Sequence, residues 1–161
     1  VFFDYNCGYC KQTLPALAEL IKNDPQLRIV YKEYPIMGQG SQIAAQAAMA
    51  ATKQGKYAEF HDGLMKSEVA NAESIKIISD RLGLNSQKLQ KDMADPDMNA
   101  AILRNLKLAD SLGIGGTPSY IVGNQIIPGA IDAASLARLI EGERAVKLAT
   151  KTDGRDVGAN K

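Results

Sequence analysis

Cys7-Gly8-Tyr9-Cys10 is the feature that most narrows what this chain can become. It holds the only two cysteines among 161 residues, whereas a disulfide scaffold shows more cysteines in a smaller chain. A structural disulfide draws its stabilisation from the loop it closes, and a bridge across Gly8 and Tyr9 closes almost none. A zinc site takes about four ligands, and the single histidine, His61, lies far off in sequence. Redox chemistry of the dithiol is the favoured reading, with metal binding and inert thiols as its competitors.

The flanking residues say where the pair sits. Val1-Phe2-Phe3-Asp4-Tyr5 is β-prone and stops at Asn6. Leu14, Leu17, Ala18 and Ile21 then recur at helical spacing up to Asn23-Asp24-Pro25, with Pro15 inside the pattern as an expected kink. Leu27 to Tyr34 alternates as a strand and ends at Pro35. This strand–helix–strand order puts Cys7 at a helix start, where unpaired N–H groups and the positive dipole end favour a thiolate. A free thiol, with a pKa of about 8.5, is otherwise only slightly ionised at neutral pH. Cys7 is therefore expected to be the exposed, attacking sulfur, and Cys10, about one turn further in, the buried, resolving one.

From Gln39 to about Ile114 the pattern is helical. It runs through an alanine-rich stretch from Gln42 to Lys53, stripes at Tyr57, Phe60 and Leu64 and at Ile75, Ile78 and Leu82, and a helix capped by Asn85. Met98, Ile102, Leu106, Ala109 and Leu112 mark a longer helix. Gly113 to Pro118 breaks the pattern. Ser119–Gly123 and Gln125–Ile127 read as a hairpin turning at Asn124, and Asp132 caps a last helix carrying Leu136, Leu139 and Ile140. The fold class is α/β, with a sheet-bearing core from residues 1–38 and 114–145 and an inserted helical domain over 39–113. Residues 146–161 read as a disordered tail.

Net charge is +1, which offers no electrostatic footprint for nucleic acid. No apolar run reaches the roughly 20 residues of a membrane span, so no membrane insertion is expected. The opening Val1-Phe2-Phe3 carries no export signal, as expected of a mature or truncated chain. His61 reads as a surface or half-buried residue, and the scattered methionines as largely core. Gly113, Gly115 and Gly116 do not open a dinucleotide-binding helix; they are expected to let the chain pass close to the cysteines.

The run from Phe2 to Lys11, with Pro15 downstream and Gly116-Thr117-Pro118 much later, resembles the DsbA-like thioredoxin-fold family across residues 1–145. Within it the nearest likeness is to the suppressor-of-copper-sensitivity protein C group. The resemblance implies a thioredoxin-like fold with an inserted helical domain, and a cis Pro118 packed beside the cysteines. It also implies a Thr117 backbone offering strand-like hydrogen bonds to an extended substrate, with the Thr117 hydroxyl in reach of a sulfur. Cys7 and Cys10 would be catalytic; Gly8, Tyr9, Thr117 and Pro118 would contact substrate; no metal or cofactor is called for.

The implied function is a thiol–disulfide oxidoreductase of the bacterial periplasm, acting on cysteine-containing exported proteins and served by a redox partner protein. Gly8-Tyr9 and Thr117 resemble the isomerase and reductase branch, whereas DsbA-type oxidases usually carry Pro-His and Val there. A DsbA-type oxidase and a copper(I)-sequestering module are the alternatives. Some relatives oligomerise through an N-terminal extension that this sequence lacks, so a homo-oligomer is an expectation for a longer form. The family often has an acid six positions before the first cysteine, where this chain has Val1. The strand expected before Val1 is missing too, which points to truncation. Asp4 and Glu33 are the remaining nearby acids, and Glu33 reads as a solvated strand residue.

Overall fold

The computed structural model describes residues 1–153. Its sheet has four strands in the order β2-β1-β3-β4. β1 (Phe2–Phe3) runs parallel to β2 (Lys32–Glu33) and antiparallel to β3 (Ser119–Val122), which forms a hairpin with β4 (Gln125–Pro128). Successive strand residues point to opposite faces, and β1 uses this to anchor both layers. Phe2 packs with Tyr34, Ala109 and Ile114. Phe3 packs with Tyr5, both cysteines and the helical layer.

The strand expected over Leu27–Tyr34 is realised only at Lys32–Glu33, where Lys32 N donates to Val1 O and Tyr34 N to Phe3 O. Leu27 and Ile29 instead pack against the cluster built on Leu17, Leu20, Tyr120 and Leu136. The helix after Cys7 is two helices, α1 (Gly8–Gln12) and α2 (Leu14–Asn23), broken at Thr13. Pro15 sits in the first turn of α2, where its missing N–H costs nothing. The Thr13 hydroxyl donates to Cys10 O at 2.8 Å across the break.

Between β2 and β3 lie α3 (Gln39–Ala51), α4 (Tyr57–Lys66), α5 (Ala72–Arg81), α6 (Ser86–Met93) and α7 (Pro96–Ser111). α3 is their hub. Ala44, Ala45, Ala47, Ala48, Ala50 and Ala51 are fully buried, so small side chains let the surrounding helices approach closely. The local stops are chemical: Asn71 and Ser74 form a capping box on α5, and Asn85 caps α6. Asp95 caps α7 ahead of Pro96.

Asp132 caps α8 (Ala133–Asp153) by accepting from Ser135 N at 2.8 Å. The tail expected from residue 146 is thus corrected in part: the helix continues to Asp153. Val146 and Leu148 are exposed there, so the extension rests on helix propensity rather than an apolar stripe. The rest of that tail, residues 154–161, lies outside the described residues. Among the described residues no helix is long and apolar enough to cross a membrane.

Candidate active site

Cys7 is the N-cap of α1, and both cysteines are free thiols. Cys7 Sγ accepts from Cys10 N at 3.4 Å, and its S–H donates to Thr117 O at 3.2 Å. The Thr117–Pro118 peptide bond is cis, so the loop arrives against the start of α1 in the form the resemblance implies. The expectation of an exposed Cys7 is corrected: Cys7 is 4% exposed and Cys10 1%. The Thr117 carbonyl lies against the first sulfur, and both sulfurs join the core around Phe3, Tyr5 and Phe60. Gly8 and Tyr9 form the outward surface, Tyr9 at 65% exposure.

Burial pushes the Cys10 thiol up to about 12. A backbone hydrogen bond from Asp4 and a side-chain hydrogen bond from Thr117 pull it down, while the neighbouring Cys7 pushes it up. Cys10 is therefore a thiol at neutral pH. The Thr117 loop is held by Tyr34, whose hydroxyl donates to Ile114 O at 2.9 Å, and by Ser119 Oγ donating to Gly116 O at 2.8 Å. Beside it runs a groove of ≈ 520 Å³ lined by Leu112, Ile114, Thr117, Pro118, Ile126 and Pro128 among others.

The glycines of this loop act differently from expectation. A Cβ on Gly115 or Gly116 would meet open space, so neither makes a close approach. Gly113 is needed for its φ of +68°, which ends α7 and turns the chain toward Ile114.

Several residues frame the site through ties that the sequence does not show, Asp4 among them although it stands out there as a nearby acid. Asp4 is buried, and each of its oxygens is saturated. Oδ1 accepts from Asn6 N at 2.8 Å and Ser41 Oγ at 2.6 Å; Oδ2 accepts from Ile36 N at 2.8 Å and Met37 N at 2.9 Å. Asn6 pairs with the backbone of Ala70, accepting from Ala70 N at 2.8 Å and donating to Ala70 O at 3.0 Å. Gly40 is small because a Cβ there would stand 3.0 Å from Ala70 O. Lys11 Nζ donates to Ser67 O at 2.6 Å and Glu68 O at 2.8 Å. An Asx residue just before the first cysteine was the only local signal for these ties; the partners lie up to 64 residues away.

Two discounted residues prove to be buried together. Glu33, read as solvated, is 2% exposed, and its Oε1 accepts from Tyr5 OH at 2.8 Å and Tyr57 OH at 2.9 Å. α4 supplies Tyr57 and covers this end of the sheet, so the alternation of β2 could not reveal the burial. Desolvation raises the Glu33 carboxyl to about 8, against the lowering effect of the tyrosines. His61, read as surface or half-buried, is 6% exposed and sits among Phe3, Tyr5, Tyr31 and Tyr57. Its Nδ1 lies 3.1 Å from Tyr5 OH, among the described residues its Nε2 has no hydrogen-bond partner, and burial lowers its pKa to about 4. Among the described residues, no group of three or more His, Cys, Asp or Glu side chains is gathered to hold a metal.

The geometry just described has known counterparts. A family model for the DSBA-like thioredoxin domain matches residues 1–141. A thioredoxin-like oxidoreductase from Silicibacter pomeroyi is similar at 41% identity, with a TM-score of 0.87 over 89% of this chain and 84% of that one. ScsC from Proteus mirabilis in a compact conformation is similar at 30% identity, with a TM-score of 0.81 over 89% of this chain and 81% of that one. A Na(+)/H(+) antiporter NhaA 3 from Salinispora tropica is 29% identical over 86% of this chain, which spans only 22% of the antiporter's length.

Proposed function

The chain belongs to the DSBA-like thioredoxin family, and from that premise we propose that it is a thiol–disulfide oxidoreductase working through Cys7 and Cys10 in the isomerase and reductase direction. One observation carries the reading: the first sulfur caps α1 while touching both Cys10 N and the carbonyl of the residue before a cis proline.

In this reading the Cys7 thiolate attacks a substrate disulfide. One substrate sulfur leaves with the electron pair, and Cys7 is joined to the other. Cys10 surrenders its proton to solvent, attacks Cys7 Sγ and releases the second substrate thiolate, leaving a Cys7–Cys10 disulfide. For isomerisation, the freed substrate thiolate instead attacks another bond before Cys10 acts. A strongly protonated Cys10 suits that route, because it delays resolution and lengthens the life of the mixed disulfide.

The likeness of Gly8-Tyr9 and Thr117 to the isomerase and reductase branch supports that lean; the neighbours named above support the oxidoreductase class. An incoming substrate chain would take the Thr117 carbonyl from Cys7 and lie along the groove beside Pro118. Substrates would be cysteine-containing proteins in an oxidising compartment such as the bacterial periplasm, with a redox partner protein resetting the pair.

The test is an equilibrium redox potential against glutathione, run beside scrambled-RNase refolding and insulin reduction. Rescue of scrambled RNase supports isomerase behaviour. Oxidation of reduced RNase without rescue moves the chain to the oxidase reading. Stoichiometric copper(I) capture with no disulfide exchange would replace both with the sequestering reading.

A further inference from the structure

We propose that Lys11 is the positioning cation of this site: its ammonium, clamped on the carbonyls that end α4, stabilises the Cys7 thiolate and makes the Cys7–Cys10 couple more oxidising. This rests on the dithiol reading above and names the residue that tunes it.

Lys11 is unlike the lysines that pair with acids. Lys56, Lys66, Lys76 and Lys88 meet Glu59, Asp62, Asp80 and Asp92, and Lys53 meets Asp92 and Asp95. Among the described residues, Lys11 has no carboxylate at ion-pair distance. Its two contacts are backbone carbonyls, Ser67 O and Glu68 O, and Ser67 is the C-cap of α4. A cation is favoured there by the negative end of the helix. These bonds hold a long side chain that would otherwise sample many rotamers in water. They leave its positive charge free to act on what lies nearby.

What lies nearby is Cys7. Lys11 N donates to Cys7 O at 3.1 Å, so the two residues are one helical turn apart and share a face. Cys7 and Lys11 lie within Coulombic range of each other, together with Asp4 and Glu68. Asp4 spreads its charge over four donors, and Glu68 is exposed.

The sulfur has need of a cation. Ionising Cys7 forfeits its S–H···O bond and sets an anion 3.2 Å from the Thr117 carbonyl oxygen. α1 is only five residues long, so few aligned peptide dipoles oppose that repulsion. A fixed ammonium within Coulombic range of the sulfur offsets it.

The electron count shows which equilibrium moves. A substrate thiolate attacks Cys7 Sγ of the disulfide, the S–S bond breaks toward Cys10, and Cys10 takes a proton from water. A second substrate thiolate attacks the substrate sulfur of the mixed disulfide, and the bonding pair leaves on Cys7. The substrate loses two electrons and the Cys7–Cys10 pair gains them. Lys11 stabilises the departing Cys7 thiolate, so it favours the reduced pair.

Lys11→Gln removes the charge and keeps a donor. It should shift the glutathione equilibrium toward the disulfide by about three- to tenfold, the tenfold limit being about 30 mV. The pH profile of Cys7 alkylation should move upward in parallel. Lys11→Arg keeps the charge and should restore both readouts. A Lys11→Gln protein with wild-type potential and alkylation profile, however much its melting temperature falls, overturns the proposal and leaves Lys11 a structural clamp. If the wild-type protein itself shows no exchange with glutathione, the dithiol reading falls and takes this inference with it.

Discussion

Two buried polar centres lie on either side of Tyr5, and they handle burial in opposite ways. The sulfur centre is sparsely bonded: Cys7 has one weak donor and one carbonyl, and Cys10 is a buried thiol whose hydrogen bonds do not offset its desolvation. The carboxyl centre is densely tied, with two tyrosine hydroxyls on one Glu33 oxygen and His61 closing the chain through Tyr5. A loosely held group can change partners, as disulfide exchange demands. A densely tied one holds still. The contrast puts the proposed chemistry where hydrogen bonding is thinnest, while the denser network fixes the insertion to the sheet.

The comparison breaks most sharply at the sulfurs. Cys7→Ser should reduce insulin-reduction activity to the uncatalysed background with little change in melting temperature. Cys10→Ser should accumulate a mixed disulfide detectable by mass spectrometry, because Cys7 can attack but nothing resolves. Ready turnover by either variant would reverse the assigned roles.

The carboxyl centre should answer in stability instead. Glu33→Ala leaves two buried hydroxyls without their acceptor and should destabilise the fold by about 3 kcal/mol in urea denaturation. Exchange activity measured well below the unfolding midpoint should remain. A large loss of activity at full folding would show that the two centres are one.

The same cluster sets a pH dependence. Glu33 is raised from 4.5 to about 8, so between those values the folded state keeps a proton that the unfolded state has lost, and stability falls as pH rises. His61 is lowered from 6.5 to about 4, so in that window the unfolded state binds the extra proton and stability rises with pH. The two oppose each other up to about pH 6.5; above it Glu33 is opposed by the Val1 ammonium, which burial lowers from 8.0 to about 6. Glu33→Gln should therefore shift the slope of stability between pH 6.5 and 8 upward, because only the rising contribution is left. A slope unchanged in the variant would show that Glu33 does not titrate in this window.

The smallest effect belongs to Thr117. Its carbonyl, which touches Cys7, survives substitution, and only the hydroxyl's pull on Cys10 is lost. Thr117→Val should slow opening of the disulfide by substrate thiols by about fivefold or less. Stopped-flow kinetics would measure it.

Much of the fold was legible because local chemistry announces itself. The Cys-x-x-Cys at a helix start, the Asn85 and Asp132 caps, the hairpin turning at Asn124 and the helical run between residues 39 and 114 all follow from neighbours in sequence. The α8 extension was misread because propensity without an apolar stripe resembles a tail. Glu33 and His61 were misread for a deeper reason. Burial of a polar side chain depends on what a distant helix lays over it, and Tyr57 and the α4 packing leave no mark near residue 33.

Sequence alone determined the paired cysteines and their seat at the head of a helix, since spacing and backbone preference are local properties; that Thr117-Pro118 faces them was implied only by the family resemblance. Only the tertiary structure decided that both sulfurs are buried, that Asp4 is a saturated bracket rather than a free acid, and that a lysine one turn from Cys7 is fixed by the end of α4. Those facts depend on which surfaces meet, and packing across tens of residues is set by the whole chain at once.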